Sequence, residues 1–183
     1  MQKFTLLLLA LLVIQSARAQ FSVSANHHFI LKDNKPFFWL GDTAWELFAR
    51  LNREEADSYL KTRSSQGFTV VQAVVLAELG GLHTPNAYGE KPLIDDNPTK
   101  PNEKYFEQVD YIVDKAAQYH INIAMLPTWG DKIFKNTWGT GPEIFNEKNA
   151  GISATWLAKR YKNRTNIIWM LGGDRNPPNE KDI

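Results

Sequence analysis

The sequence contains no cysteine among its 183 residues. Disulfide bonds are therefore excluded, and so is a lipoprotein anchor through a cysteine that follows an N-terminal leader. The spacing of the histidines and acids resembles no zinc or iron site. We therefore expect a fold that is stabilised by its hydrophobic core, with no metal and no cofactor.

The chain also lacks an excess of charge of either sign. Lys and Arg total 21, and Asp and Glu total 20, with no basic stripe along the chain. A nucleic-acid partner or an anionic membrane surface is not indicated by this balance. No Gly-x-Gly-x-x-Gly follows the first predicted strand, and no Gly-x-Ser-x-Gly is present, which disfavours a dinucleotide site and a serine-hydrolase site.

Long apolar runs are missing except at the N-terminus. The run from Phe4 to Ile14 is shorter than the roughly 20 residues that a membrane-spanning helix needs. A basic start precedes it, and the small-x-small sequence Ala17-Arg18-Ala19 follows it. This pattern predicts a secretory signal peptide over residues 1–19. We therefore expect a secreted or periplasmic protein without a membrane anchor, whose folded part begins at residue 20.

The composition that remains is typical of a globular protein. Hydrophobic residues make up 43% of the chain and charged residues 22%, with six tryptophans and an aromatic share of 12%. Aromatic residues are often part of the core, but their flat rings also stack on sugars. Composition alone leaves both interpretations open.

Hydrophobic patterns predict an alternation of strands and helices. The apolar runs that indicate strands are Phe21–Val23, Phe29–Leu31, Phe37–Leu40, Phe68–Leu76, Ile121–Leu126 and Asn166–Leu171. The first two should form a β-hairpin. Helical spacing predicts helices over Leu51–Ser65, from Asn102 onward, and over Glu147–Tyr161, where Ile152, Trp156 and Leu157 should face inward.

Strands that alternate with helices and are apolar on both faces are typical of a parallel sheet. Polar loops that follow the strands favour a (β/α)8 barrel, whose active site is built from those loops. A full barrel needs about 250 residues. We therefore predict an α/β fold of the TIM-barrel type, truncated to about the first four βα units and preceded by a short β-hairpin.

Each of the four predicted barrel strands ends beside a carboxylate. These acids are Asp42, Glu78, Asp131 and Asp174, and Trp45 and Trp129 lie close to the first and third. Glycoside hydrolysis needs two carboxyl groups, and aromatic surfaces help to hold the sugar. The strand ends therefore favour a carbohydrate substrate.

Structural roles compete with this interpretation. For Asp131 a helix cap or a solvated loop position is favoured, and for Asp42 the capping and functional interpretations are balanced. For Asp174 a cap is disfavoured, because Pro177-Pro178 follows. Gln72 lies in the middle of a strand, and its amide is either satisfied inside the protein or contacts substrate.

Four sequence blocks together resemble one enzyme family. They are FFWLGDTAWELF, QAVVLAE, PTWGDK and NIIWMLGGDRNP, and they are similar to the apiosidase-like glycoside hydrolases, glycoside hydrolase family 140. The resemblance runs from about Phe21 to Pro177. A broader likeness extends to the retaining barrel glycosidases, in which the acid/base follows the fourth strand and the nucleophile follows the seventh.

The resemblance implies specific roles. Asp174 would be the general acid/base, and the sugar subsite would be lined by Asp42, Trp45, Gln72, Glu78 and Trp129. The family's known activity, removal of apiose from pectic side chains, implies a plant cell-wall substrate and a retaining mechanism.

The sequence holds four of the eight βα units that the resemblance implies. The nucleophile belongs to the later units, so we expect the four units alone to be catalytically silent. The alternative hypothesis is a non-catalytic glycan-binding half-barrel that keeps the aromatic and acidic residues. The sequence does not define the oligomeric state.

Overall fold

The computed structural model describes residues 21–135 and 139–173. The predicted signal peptide and the predicted acid/base Asp174 lie outside these residues. The chain divides between Phe38 and Trp39 into two compact units.

The first unit is a small antiparallel sheet. Its strands are β1 (Phe21–Val23), β2 (Ile30–Lys32) and β3 (Lys35–Pro36), in the order β1-β2-β3. Asp33 and Asn34 join β2 to β3 with φ values of 53° and 61°, the left-handed conformation that two-residue hairpin turns require. The predicted hairpin is therefore present, with β2 one residue later than expected and with an additional short strand.

The second unit alternates strands and helices. Its strands are β4 (Gly41–Thr43), β5 (Val70–Leu76), β6 (Asn122–Thr128) and β7 (Ile167–Trp169), all parallel and in the order β4-β5-β6-β7. The helices are α1 (Leu47–Arg50), α2 (Arg53–Ser65), α3 (Glu103–Gln118) and α4 (Glu147–Tyr161), with a 3-10 turn at Gly130–Lys132. The predicted parallel βα alternation is confirmed.

One strand was predicted in the wrong place. The apolar run Phe37–Leu40 is not a strand, and the parallel ladder with β5 covers Gly41–Thr43 instead. A strand is defined by its pairing partner, and Val70 to Gln72 of β5 pair with residues 41 to 43. Asp42 therefore lies within a strand and not in the loop that follows it. Likewise β6 continues past its predicted end at Leu126 and includes Pro127 and Thr128.

Among the described residues, each helix of ten or more residues has an asparagine as its N-cap, directly before its first residue. Asn52 accepts a hydrogen bond from the Glu55 amide at 2.9 Å while the Glu55 carboxylate accepts one from the Asn52 amide at 2.9 Å. This reciprocal arrangement is a capping box. Asn102 caps α3, and Asn146 caps α4 in a reciprocal pair with Asn149.

The sheet has two faces with different partners. Val71, Ala73 and Val75 of β5 belong to the large core cluster that the helices cover. Val74 of β5 packs in a smaller cluster with Leu126 and Trp129, because side chains alternate between the faces of a strand. The face that carries Val74 and Leu126 is called the inner face below.

Charged side chains fasten α4 to α3. Arg160 bonds both carboxylate oxygens of Asp110, at 3.1 and 2.9 Å, and also bonds Glu103. One turn later Arg164 pairs with Asp114 at 2.9 and 3.2 Å. These contacts fix the helix that precedes β7, and so they help to position the strand.

The packed stripe of α4 is narrower than predicted. Leu157 and Tyr161 are buried and Trp156 is half-buried, but Ile152 is 47% exposed. The expectation that Ile152 faces inward is wrong, because the half-buried side chains beside it on the first turns of α4 are Ala150 and Ser153, which lie on another side of the helix. Within residues 21–135 and 139–173, no helix is long and apolar enough to span a membrane.

Candidate active site

The carboxyl ends of the four parallel strands meet at one edge of the sheet. Beyond the strand bounds the hydrogen-bonded pairing continues, since Val74 N–H donates to the Trp45 carbonyl at 3.2 Å and Trp129 N–H donates to the Leu76 carbonyl at 3.0 Å. At the fourth strand, Met170 N–H donates to the Met125 carbonyl at 3.0 Å. These bonds extend the sheet to the residues that the sequence singled out.

Trp45 and Trp129 contact each other at this edge. Their ring centroids are 4.8 Å apart with an interplanar angle of 70°, the edge-to-face arrangement that aromatic pairs prefer. Trp129 is only 2% exposed, and its indole N–H has no hydrogen-bond acceptor among the described residues. Trp45 is half-buried, so it is the more accessible member of the pair.

Gly173 approaches Trp129 from the end of β7. A Cβ added at Gly173 would lie 3.2 to 3.3 Å from three atoms of the indole ring. Such a close approach leaves little room for a side chain. The strand-end glycine thus brings the backbone of the fourth strand end onto the aromatic pair.

Gln72 lies on the inner face, one layer deeper than the tryptophans. It pairs in register with Thr43 on one side and with Ala124 on the other. It lies two positions before Val74, which packs in the Trp129 cluster, and this spacing corresponds to about 7 Å along a strand. Gln72 is half-buried, which is compatible with either role left open by the sequence.

Asp42 points to the opposite, helix-covered side. Its carboxylate accepts hydrogen bonds from the Tyr59 hydroxyl at 2.7 Å and from the Arg63 guanidinium, both of α2. It also accepts a bond from the Thr43 amide at 2.9 Å. Asp42 therefore caps no long helix, and the structure joins it to α2 and not to the tryptophan pair.

These partners hold Asp42 in its charged form. Burial alone would raise the pKa of the Asp42 carboxyl, but the hydrogen bonds from Tyr59 and Arg63 outweigh that effect and lower the pKa below its ordinary value. Burial, together with the Asp42 carboxylate, raises the pKa of Tyr59 to about 12. A carboxyl with a lowered pKa is a poor proton donor near neutrality.

An open groove borders the first two strand ends. It has a volume of about 380 Å³, and Asp42, Trp45 and Glu78 are among the residues that line it. Glu78 is half-buried and lies in the loop directly after β5. The groove thus brings together three of the six residues that the sequence assigned to the site.

Asp131 is neither a helix cap nor a solvated loop residue, and both of those expectations are wrong. Its side chain is fully buried, and its carboxylate pairs with the equally buried Lys132 ammonium at 2.8 Å. The physical reason is non-local, because residues 139–141 fold back over the turn and the Gly141 amide donates to the carboxylate at 3.1 Å. Asp131 is inaccessible to substrate.

No metal centre is formed by the side chains in residues 21–135 and 139–173. His83 contacts Asp96 at 2.7 Å in the long loop after β5, and the two side chains are 56% and 38% exposed. His27 and His28 are exposed in the first unit. Within the second unit, His83 takes no part in the strand-end cluster.

The sequence matches the family model for the apiosidase-like catalytic domain over residues 24–183. The chain belongs to the apiosidase-like family. Among solved structures, the apiosidase-like chain is similar to a glycoside hydrolase family 5 protein from Bacteroides vulgatus, with 36% identity over 89% of this chain and a TM-score of 0.76.

A second solved structure, described as a glycoside hydrolase, is 33% identical over 86% of the chain, with a TM-score of 0.71. An endo-1,4-beta-mannanase from Rhizomucor miehei is 20% identical with a TM-score of 0.57, a likeness that concerns the fold alone. The apiosidase-like chain covers only 35% and 34% of the first two structures. No protein of curated function matches the sequence.

The matches agree with the fold. The apiosidase-like chain has the four-stranded parallel sheet of TIM-barrel glycoside hydrolases, and it spans about a third of the length of the first two relatives. Its membership in a glycoside hydrolase family is therefore supported by sequence and by structure.

Sequence reasoning missed several residues that build this site. Tyr59 and Arg63, which hold Asp42, lie on one face of α2 at a spacing of four residues, a signal that pairing rules could have supplied. Lys132 follows Asp131 directly but carries no sign of burial in the sequence. Gly173 follows the fourth predicted strand, and a glycine at such a position allows another group to approach the backbone closely.

Proposed function

We propose that this apiosidase-like chain carries the acid/base part of a retaining glycoside hydrolase that acts on pectic plant cell-wall glycans outside the cytoplasm. Asp174 serves as the general acid/base. The observation that carries the proposal is the contact of Gly173 with the Trp129 indole, since Gly173 immediately precedes Asp174 in sequence. Export rests on the predicted signal peptide over residues 1–19.

The described strand-end acids support this choice of proton donor. Asp131 is fully buried in an ion pair, and Asp42 has a lowered pKa through its bonds to α2. Asp131 is therefore out of reach of a leaving group, and the lowered pKa of Asp42 makes that carboxyl a poor proton donor near neutral pH. Of the four acids that the sequence predicted at the strand ends, Glu78 and Asp174 are left as candidates for contact with substrate.

The proposed chemistry has two steps. In the first, Asp174 gives its proton to the glycosidic oxygen as a carboxylate nucleophile attacks the anomeric carbon, which forms a glycosyl-enzyme and breaks the bond to the leaving group. In the second, Asp174 takes a proton from the water that releases the sugar. The two carboxyl groups would be about 5 to 5.5 Å apart, and the broader likeness assigns the nucleophile to a later strand.

The sugar subsite is proposed to lie along the groove at the first two strand ends. Trp45 offers an aromatic surface there, and Trp129 supports it from the inner face through their edge-to-face contact. Gln72 and Glu78 supply polar groups that suit sugar hydroxyls. Asp42 borders the same groove but acts mainly by fixing the end of β4 to α2.

The test of the proposed function is hydrolysis by the full-length gene product. Purified protein is incubated with apiose-containing pectic oligosaccharides, and the anomeric configuration of the first-formed product is followed by proton NMR. Release of apiose with retained configuration is the expected result. Inverted configuration would overturn the retaining mechanism, and absence of any glycoside hydrolysis would overturn the proposed activity.

The second candidate function is glycan binding without catalysis. The observation that favours it is that the Trp45–Trp129 pair is complete within the described residues. Isothermal titration with the same oligosaccharides separates the two functions. Binding that Trp45→Ala abolishes, in a protein that releases no sugar, would favour the binding module over the hydrolase.

A further inference from the structure

A fully buried ion pair lies immediately beyond the tryptophan at the end of β6. The Lys132 Nζ and the Asp131 carboxylate are 2.8 Å apart, and both side chains are 0% exposed. Removal of two charges from water is costly, and a buried pair is often no more stabilising than apolar side chains of similar size. A role in fixing geometry is therefore a better reason for this pair than a contribution to stability.

The pair holds two separated segments together. The Asp131 carboxylate accepts the Gly141 amide at 3.1 Å and the Thr140 hydroxyl at 3.4 Å. Gly139 packs so closely that an added Cβ would lie 2.6 Å from the Asp131 Cβ. A single carboxylate thus binds its own turn and the returning chain at residues 139–141.

Lys132 extends this connection through its backbone. Its carbonyl accepts hydrogen bonds from the Ile144 and Phe145 amides at 2.8 and 3.2 Å. Its own amide donates to the Trp129 carbonyl at 3.2 Å. The turn that begins at Trp129 is therefore clamped by residues 139–145 on its far side.

We propose that the Asp131–Lys132 pair is a positioning element that fixes the turn after β6 and, through that turn, the orientation of the Trp129 indole against Trp45 and Gly173. It does not contact substrate itself. The functional importance of the pair rests on the proposed function, in which Trp129 supports the sugar-binding surface. The geometry that it predicts can nevertheless be measured without any substrate.

The main variant is the double substitution Asp131→Leu/Lys132→Met in the full chain. It removes both charges while keeping apolar volume, so the fold should be retained with a melting temperature within about 5 °C of the parent. The readout is the near-UV circular dichroism of the coupled indoles, assigned beforehand with Trp45→Phe and Trp129→Phe. We expect the double variant to lose more than half of the signal that these two variants assign to the pair.

The matched control is Asp57→Leu/Lys115→Met, which removes an ion pair of 3.2 Å between α2 and α3. It should leave the indole signal unchanged. A folded Asp131→Leu/Lys132→Met protein with the full indole signal would overturn the proposal. Because no sugar is present, this result is independent of whether the hydrolase proposal holds.

A second variant decides the matter if the double variant does not fold. Gly139→Ala leaves both charges in place but forces the returning segment away from Asp131, and its control is Gly151→Ala in α4, where nothing lies within 4 Å of the added Cβ. We expect Gly139→Ala to reduce the indole signal and Gly151→Ala to preserve it. Full signal in Gly139→Ala, or failure of both test variants to fold, would reduce the pair to a general stability element.

Discussion

The backbone of Gly173 lies against the indole of Trp129, so close that a Cβ at Gly173 would be 3.2 Å from two ring atoms. This contact joins the ends of β6 and β7 on the inner face. Trp129 contacts Trp45 on another side, with centroids 4.8 Å apart. Three of the four strand ends are therefore linked through one aromatic side chain, and the sequence continues from Gly173 directly into Asp174.

Gly173→Ala should disturb this link. The added methyl group overpacks the contact with Trp129, and we expect a loss of about 1 kcal/mol in the free energy of unfolding and an altered near-UV spectrum. Urea unfolding followed by fluorescence measures the first effect. Unchanged stability together with an unchanged spectrum would contradict the close approach.

The control substitution Gly151→Ala should raise the free energy of unfolding, whereas Gly173→Ala should lower it. Gly151 lies inside α4 with open space around its Cβ position. Alanine there lowers the conformational entropy of the unfolded chain, so Gly151→Ala should stabilise the protein by about 0.5 to 1 kcal/mol.

The Asp42 carboxylate should make the free energy of unfolding depend on pH in the acid range. Its pKa is lowered in the folded chain, so the unfolded state binds more protons in acid. The stability that the Asp42 carboxylate contributes is complete above the unfolded pKa of about 3.9 and is lost as the pH falls through the lower folded value. Replacement by asparagine removes this dependence.

Asp42→Asn should therefore cost about 1.5 to 3 kcal/mol at pH 7, the range for hydrogen bonds to charged groups, and less at pH 3. Urea midpoints at pH 7, 5, 4 and 3 measure the difference. Glu46→Gln, which breaks a pair with the 58% exposed side chain of Arg50, is the control and should change stability by less than about 1 kcal/mol. A difference between parent and Asp42→Asn that stays constant down to pH 3 would contradict this assignment.

The parts of the fold that sequence could predict are those set by local pattern. The capping box of Asn52 and Glu55 spans four consecutive residues, and α4 has the bounds that its spacing predicted. The parallel alternation follows from helices that separate apolar strands. Each of these features depends on residues that are close together in the chain.

The parts that sequence could not predict depend on distant partners. The position of β4 is decided by its register with β5, and a shift of one residue would exchange the faces of Asp42 and Thr43. The burial of Asp131 depends on Gly141, ten residues later. Composition and periodicity carry no information about either contact.

The ion pairs between α3 and α4 should stabilise the protein more with arginine at position 160 than with lysine. Arg160 bonds both oxygens of Asp110 and also lies over the Trp156 ring at 5.2 Å. Lysine keeps the charge but loses the two-pronged geometry and the planar stacking. Arg160→Lys should lower the free energy of unfolding by about 1 to 2 kcal/mol, measured by thermal and urea unfolding, whereas a change below 0.5 kcal/mol would show that charge alone suffices.

The most direct test of the central claim is the kinetics of Asp174→Ala in the full-length gene product. General acid catalysis contributes about 10² to 10⁴-fold, and it matters most when the leaving group is a poor one. We predict that kcat for the natural pectic oligosaccharide falls by about that factor, while hydrolysis of an aryl glycoside with a good leaving group falls far less. An equal loss on both substrates would contradict the assignment of Asp174 as the proton donor.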